Sequence, residues 1–251
     1  MTTASSLTTL SRRVLVLAGP TAVGKSTLGL RLCETIKGEI ISADSVQVYT
    51  HIRIGANKPT DAETQAVRHH LLDVRQLDQE YTAGDFFRDS LAAVEDVLKR
   101  GRTPVLVGGT PMYIRWLVQG RPTAPKARPE VSALALAQLA PYQQRNDWEG
   151  GLRLLQALDA ARAAALSRND WYRLHRALVV TMQTESEAAS LELPADGESA
   201  RLDSLRASLD LRCVFLTAPR DQLCRRIDGR CEALLREGLL EEVTELLLER
   251  R

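Results

Sequence analysis

Gly19-Pro20-Thr21-Ala22-Val23-Gly24-Lys25-Ser26 is the stretch that decides the fold. It fits the pattern G-x-x-x-x-G-K-[ST], and its flanks are as informative as the match. Residues 14–18 (VLVLA) lead into it as a short continuous apolar run, the pattern of a strand buried on both faces. Residues 28–36 leave it with helical periodicity. A strand, this loop and a helix in that order turn backbone N–H groups inward around a phosphate. The glycines permit the turn, and the helix N-terminus adds partial positive charge. Lys25 is expected at the terminal phosphates, and the Ser26 hydroxyl offers an oxygen to Mg²⁺. The motif specifies a di- or triphosphate site without naming a reaction.

Outward from that loop, the same alternation continues. Residues 39–43 (EIISA) predict a second strand closed by Asp44, residues 105–109 (VLVGG) a third, and residues 212–217 (RCVFLT) a fourth. Phe86, Phe87, Leu91, Val94 and Leu98 recur at threes and fours, predicting a helix over 85–99. Strands alternating with helices predict an α/β, P-loop NTPase-like doubly wound parallel sheet. Between the third and fourth strands the character changes. Pro122, Pro125 and Pro129 mark a loop, and Ala/Leu/Arg-rich stretches such as 152–166 and 174–182 have helical spacing, so a helical insertion on the core is expected. Residues 191–201 (LELPADGESAR) read as a surface loop. Residues 221–251 read as one or two amphipathic helices broken near Gly238. The expected division is an N-terminal arm over 1–13, a catalytic core over 14–121 and 205–251, and an inserted helical subdomain over 122–204.

The 251 residues carry a net charge of +1, a near balance that does not by itself suggest a nucleic-acid partner. The distribution does: residues 120–180 hold nine Lys/Arg against five Asp/Glu. Cys33, Cys213, Cys224 and Cys231 show no C-x-x-C pair, which fits reduced thiols in an intracellular, reducing compartment. No apolar run reaches the roughly 20 residues that span a bilayer. Residues 1–13 (MTTASSLTTLSRR) lack acids and end in two arginines, a composition shared by organellar transit segments and disordered arms. Plastid, mitochondrion and cytoplasm all remain open.

Discrimination among phosphate-binding chemistries starts at the other strand ends, because open α/β sheets bind ligands outside their carboxyl edges. Asp44 stands after the second strand and Gly108-Gly109-Thr110 after the third. A typical ATPase ends an apolar strand in an aspartate that holds Mg²⁺. Gly-Gly-Thr instead weakens that reading and leaves a small-molecule kinase open. A lone carboxylate beside a diphosphate site serves as a general base or a metal ligand; the structural alternative for Asp44 is a helix cap before Ser45.

GPTAVGKS, EIISADSVQVY, IGANKPT, His69-His70-Leu71, YTAGDF and VLVGGT, in this order and spacing, resemble the tRNA dimethylallyltransferase (tRNA isopentenyltransferase) family. RNDWYRLHRAL, residues 168–178, resembles that family's tRNA-contacting segment. The resemblance covers roughly residues 14–240 and is nearest the plant and algal branch of bacterial-like enzymes. It implies transfer of a dimethylallyl group from its diphosphate to N6 of the adenosine 3′ to the anticodon, by a monomer that needs Mg²⁺. It makes Asp44 the general base, has Thr110 orient donor and base, and has Arg230 neutralise the leaving diphosphate held by residues 19–26. It assigns Asp44, Ser45, Val46 and Gln47, and Tyr172, Arg173, Leu174, His175 and Arg176, to the anticodon stem-loop of tRNA. The family continues into a segment with an Ile-Gly-Tyr-Arg-Gln motif that this sequence does not contain, so the chain reads as cut short, and no Cys/His zinc finger follows.

Two other readings compete. An adenine-nucleotide isopentenyltransferase would lack the tRNA-binding insertion, and a small-molecule kinase would carry an Arg-rich lid over ATP. His69 and His70, adjacent on a strand, point to opposite faces and are expected to be structural, near the active site, rather than metal ligands. Trp116, Trp148 and Trp171 are expected to pack, with Trp171 the best candidate to stack on a base.

Overall fold

The computed structural model describes residues 12–121, 127–189 and 197–249. In chain order these form β1 (Arg13–Ala18), α1 (Lys25–Ile36), β2 (Gly38–Ala43), α2 (Asp61–Ala66), β3 (His69–His70), α3 (Ala83–Lys99), β4 (Thr103–Gly108) and α4 (Pro111–Gln119). Then come α5 (Pro129–Gln144), α6 (Trp148–Leu158), α7 (Ala160–Ala164), α8 (Trp171–Ala189), α9 (Gly197–Ala207), β5 (Asp210–Phe215), α10 (Arg220–Arg236) and α11 (Leu239–Glu249). The chain divides into two compact units, residues 122–197 and the remainder.

The larger unit is built on a five-stranded sheet in the order β3-β2-β4-β1-β5, parallel at every pairing. This is the doubly wound α/β fold expected from the alternating pattern. Helices cross between the strands, and the apolar faces of α3 and α1 supply much of the core. Phe86, Phe87, Leu91 and Val94 of α3 lie against Ile41 and Leu106, all essentially inaccessible to solvent. On the other face, Cys33 and its neighbours on α1 pack against Leu17, Ile40, Val105 and Val107. Burying Phe86 or Leu91 contributes about 1.5–3 kcal/mol each. All four cysteines are free thiols, and burial pushes Cys33 up to about 12, so it remains a neutral core residue.

Two readings of the sequence need correction. Residues 197–201 do not belong to a surface loop but open α9, whose Leu202 joins the core beneath α3. Arg201 pairs with Glu95 at 2.8 Å and Arg206 Nε donates to the Leu117 carbonyl at 2.9 Å, so α9 packs within the larger unit. Local polarity hid this because Leu202 and Leu205 alone give α9 an apolar face, with Leu209 just past its end joining the same core. Residues 191–196 lie outside the described part. Second, the histidines do not form part of the phosphate end. His70 Nε2 meets Glu39 at 2.7 Å, and Arg100 donates to the same carboxylate at 2.7 Å, near the start of β2. Burial pushes Glu39 up, yet Arg100 and His70 together hold it below its ordinary value.

The smaller unit is helical. Leu139 on α5, Trp148 and Leu155 on α6, Ala163 on α7 and Leu174 and Leu178 on α8 enclose its own core. Asp159 ends α6 and caps α7 by accepting from Arg162 N at 2.8 Å, which splits the single periodic stretch seen in sequence. Among the described residues, no helix is long and apolar enough to cross a membrane.

The sheet's geometry makes a demand at one position. A Cβ added to Gly108 would sit 2.1 Å from the carbonyl oxygen of Ala43 on the neighbouring strand. Nothing there is a flexible side chain that can move aside. Gly108→Ala should therefore destabilise the protein by about 1–3 kcal/mol, as overpacking does. Equilibrium denaturation checks it; an unchanged midpoint would mean the two strands separate more easily than their packing implies.

Candidate active site

The loop between β1 and α1 begins where β1 and β5 end. Leu216 N donates to the Ala18 carbonyl at 2.8 Å, and a Cβ at Gly19 would lie 2.5 Å from the Leu216 carbonyl oxygen. With φ of +151° as well, position 19 takes only glycine without strain. Gly24 caps α1 in a left-handed conformation, so the first amides of the helix face the loop's concavity. Lys25 Nζ donates to the Pro20 carbonyl at 2.7 Å, folding the side chain across the loop. Burial lowers the Lys25 pKa, Asp44 pulls it back up, and Arg230 pushes it down again. Those opposing influences place a carboxylate and a guanidinium within electrostatic range of one ammonium. An anion seated in the loop would offset that repulsion and raise the Lys25 pKa again.

Asp44 follows directly on β2. Its Oδ1 accepts from the amides of Val46 at 2.8 Å and Gln47 at 3.3 Å. The cap expected as the structural alternative is therefore present, but it caps a turn and uses one oxygen. Oδ2 makes no hydrogen bond among the described residues. Thr110, at the end of β4, bridges across to this turn. Its hydroxyl accepts from Ser45 N at 3.0 Å and its own amide donates to the Ala43 carbonyl at 3.3 Å. The hydroxyl proton is left to point at a ligand. One turn into α4, the Tyr113 phenol is pushed up to about 12 by burial and by neighbouring Tyr49, Asp44 and Asp85. Tyr113 stacks on Phe86 with centroids 4.2 Å apart, which fixes the start of α4.

Ser26 stands exposed in the first turn of α1. Among the described residues no group of three or more His, Cys, Asp or Glu could hold a metal. A hydroxyl beside a diphosphate cradle, with a carboxylate near Lys25, nonetheless fits Mg²⁺, which takes one or two protein oxygens and completes its shell with phosphate and water.

A family model described as IPP transferase matches residues 47–251. The chain belongs to the IPP transferase family. It is 39% identical to tRNA dimethylallyltransferase 9 of Arabidopsis thaliana, over 94% of this chain and 56% of that protein. It is 35% identical to the tRNA dimethylallyltransferase of Protochlamydia amoebophila, over 94% of this chain and 65% of that one. It thus spans well under two thirds of the first relative and just under two thirds of the second. A plant protein among these relatives agrees with the branch that the motif wording resembles. Among solved structures, a eukaryotic dimethylallyltransferase acting on tRNA superposes with a TM-score of 0.74 at 28% identity, covering 95% of this chain and 56% of that one. The full-length tRNA isopentenylpyrophosphate transferase of Bacillus halodurans gives 0.61 at 28%, covering 95% and 71%.

In this chain, the residues matched to tRNA contacts meet different fates. Ser45 and Val46 are exposed on their turn. Gln47 is spent internally: its Oε1 accepts from Ser42 Oγ at 2.8 Å and its Nε2 donates to the carbonyls of Ala56 at 3.2 Å and Asn57 at 3.1 Å. In the helical unit, Tyr172 is 79% exposed at the start of α8, and Arg173 is exposed while paired with Asp170 at 3.3 Å. Leu174 is fully buried in the helical core, so its side chain packs inward and only its backbone is left to face a partner. His175 Nε2 sits 3.0 Å from the Ser132 carbonyl, tying α8 to α5, and Arg176 is half-buried. Trp171 packs edge-on against Trp148, centroids 5.2 Å apart, so the exposed aromatic here is Tyr172 instead.

Lys58, within the IGANKPT motif, holds a structural role that local sequence pattern does not mark. Lys58 Nζ donates to the Tyr49 carbonyl at 2.5 Å and to Asp73 at 2.6 Å, with its side chain almost wholly buried. Lys58 and Gln47 together bind the 54–58 segment to the turn after Asp44. Gln47→Ala should cost about 1–3 kcal/mol, because Ser42 and two carbonyls lose their partner. Chemical denaturation reads the loss; a variant as stable as wild type would show that water replaces the amide.

Proposed function

We propose that the chain transfers a dimethylallyl group from dimethylallyl diphosphate to N6 of the adenosine at position 37, 3′ to the anticodon, in tRNAs reading codons that begin with U. It would act as an intracellular monomer. The observation that carries this is that Lys25, beside Gly109, and Asp44, whose turn Thr110 bridges, meet at the carboxyl end of the sheet, with Arg230 in electrostatic range of Lys25. The names of the relatives support the same reaction.

In this reading, the loop amides of residues 19–26 and the side chains of Lys25 and Arg230 hold the diphosphate. Asp44 Oδ2 accepts the proton of the adenine N6 amine as its nitrogen bonds to the allylic carbon. The carbon–oxygen bond to the diphosphate breaks, and the leaving group takes the electron pair. Charge develops mainly on that leaving group and on the allylic carbon, so preorganised cations and amides contribute more than a strong base does. Mg²⁺ at Ser26 and the phosphate oxygens would add positive charge to the same leaving group. Thr110 donates its free hydroxyl proton into the site and, through Ser45 N, holds the turn that aims Asp44.

Incubating the full chain with labelled dimethylallyl diphosphate and unmodified tRNA, beside AMP and ADP, tests the reading directly. Label on AMP or ADP but not on tRNA would replace it with a nucleotide isopentenyltransferase. Asp44→Asn keeps an acceptor for Val46 and Gln47 and removes only the base. It should lower single-turnover transfer by about 10²–10⁴-fold with tRNA binding nearly intact; near wild-type turnover would take Asp44 out of this role.

The tRNA side rests on the helical unit. Arg168, Tyr172 and Arg173 are exposed around the start of α8, with Arg176 one turn on. Cations there gain affinity by releasing counterions from phosphates, and an exposed tyrosine can stack on an unpaired loop base. Reversing Arg173 and Arg176 to Glu should weaken tRNA binding and flatten its salt dependence by about one to two units of log–log slope. Dimethylallyl diphosphate affinity should stay unchanged. If a salt series gives the same tRNA affinity and slope for both proteins, tRNA docks elsewhere.

A further inference from the structure

We infer that Glu242 is a positioning residue that ties the helical hairpin carrying Arg230 to the turn carrying Asp44. The inference builds on the roles proposed above for Arg230 and Asp44. Glu242 lies on α11, and its carboxylate accepts from three successive backbone amides, Arg53 at 2.6 Å, Ile54 at 2.7 Å and Gly55 at 2.8 Å. Oε2 takes the first two and Oε1 the third, so both oxygens are engaged by main chain. Hydrogen bonds to an ionised acceptor are roughly twice as strong as neutral ones. Burial pushes the Glu242 carboxyl up, but the three amides, with Lys58 nearby, hold it below its ordinary value.

The anchored segment leads straight to the site. Ala56 and Asn57, the next two residues, offer their carbonyls to Gln47 Nε2, and Gln47 N in turn donates to Asp44 Oδ1. On the other side, α11 packs against α10, the helix of Arg230, across a turn at Gly238 with φ of +104°. Ile54 and Leu239 close the joint: a Cβ at Gly238 would meet Ile54 at 3.6 Å, and one at Gly55 would meet both Leu239 and Glu242 at 3.3 Å. A side chain at position 55 would therefore crowd the carboxylate by a few tenths of an ångström.

Helix α10 buries no residue, and Leu240, Leu247 and Leu248 of α11 are each at least 60% exposed. Among the described residues, the polar seat of Glu242 is the most specific attachment between the hairpin and the 53–57 segment. The partners stand 187 to 189 positions apart in sequence, so the clamp closes a long loop.

The test uses the full chain as wild type, Glu242→Ala, Arg230→Ala and the double variant, with inorganic pyrophosphate in Mg²⁺ as the probe. Amide hydrogen exchange should speed up at residues 53–55 in Glu242→Ala. Pyrophosphate affinity should fall about five- to tenfold, and the double variant should bind no more weakly than Arg230→Ala, because coupled positions do not add. Multiplying losses, or unchanged exchange at 53–55, would overturn the inference. Should Glu242→Ala fail to fold, Glu242→Gln keeps one acceptor and should give the same non-additivity with a smaller loss. Failure of the proposed function looks different: wild-type chain would transfer no prenyl group to tRNA, while exchange and pyrophosphate coupling would behave as stated.

Discussion

The close approach of β2 and β4 at their carboxyl ends is the constraint on which the site depends. Gly108 lets the two backbones come together where any side chain would strike the Ala43 carbonyl. One residue later the strands part, and Thr110 reaches back with its amide on Ala43 and its hydroxyl under Ser45 N. That crossing fixes the height at which Asp44 leaves the sheet. With β1 on the other side of β4, the phosphate loop opens at the same level. A parallel sheet delivers several strand ends to one edge, and the glycine-rich end of β4 lets them share a small volume.

Most polar groups around this edge are spent on shape. Gln47 and Lys58 have the donors to contact a nucleic acid, yet both stitch the 54–58 segment to the turn after Asp44. Thr82 and Asp85 form a capping box that starts α3. Among the described residues, the outer oxygen of Asp44, the hydroxyl proton of Thr110 and the remaining N–H donors of Lys25 are what the site itself leaves to a ligand, with Arg230 nearby. Each suits a reaction in which charge appears on a departing diphosphate while a single proton is removed. A site so built needs rigid support, because a displacement of about 1 Å is enough to lose much of the rate.

The helical unit follows different logic. Its core is closed by Leu139, Trp148, Leu155, Leu174 and Leu178, and its surface at the start of α8 is left to Tyr172 and Arg173. Periodicity in a basic helix does not separate these roles. Leu174 lies within the same matched run as Tyr172 and Arg173, yet points inward while they face solvent, since neighbouring positions on a helix are about 100° apart.

The phosphate loop, its flanking strand and helix, the parallel sheet and the position of Asp44 were all legible in sequence, because each rests on local pattern: apolar runs, glycine spacing and strand-end residues. Membership of the IPP transferase family was legible too, through long ordered motifs. What local pattern cannot carry is contact between distant segments. The seat of Glu242 on residues 53–55, the burial of Lys58, the pairing of His70 with Glu39 and the packing of α9 beneath α3 each join residues far apart in the chain. A polar residue has the same local signature whether it faces water, substrate or a backbone amide. Only the folded chain decides, by supplying the partner that makes desolvating it tolerable.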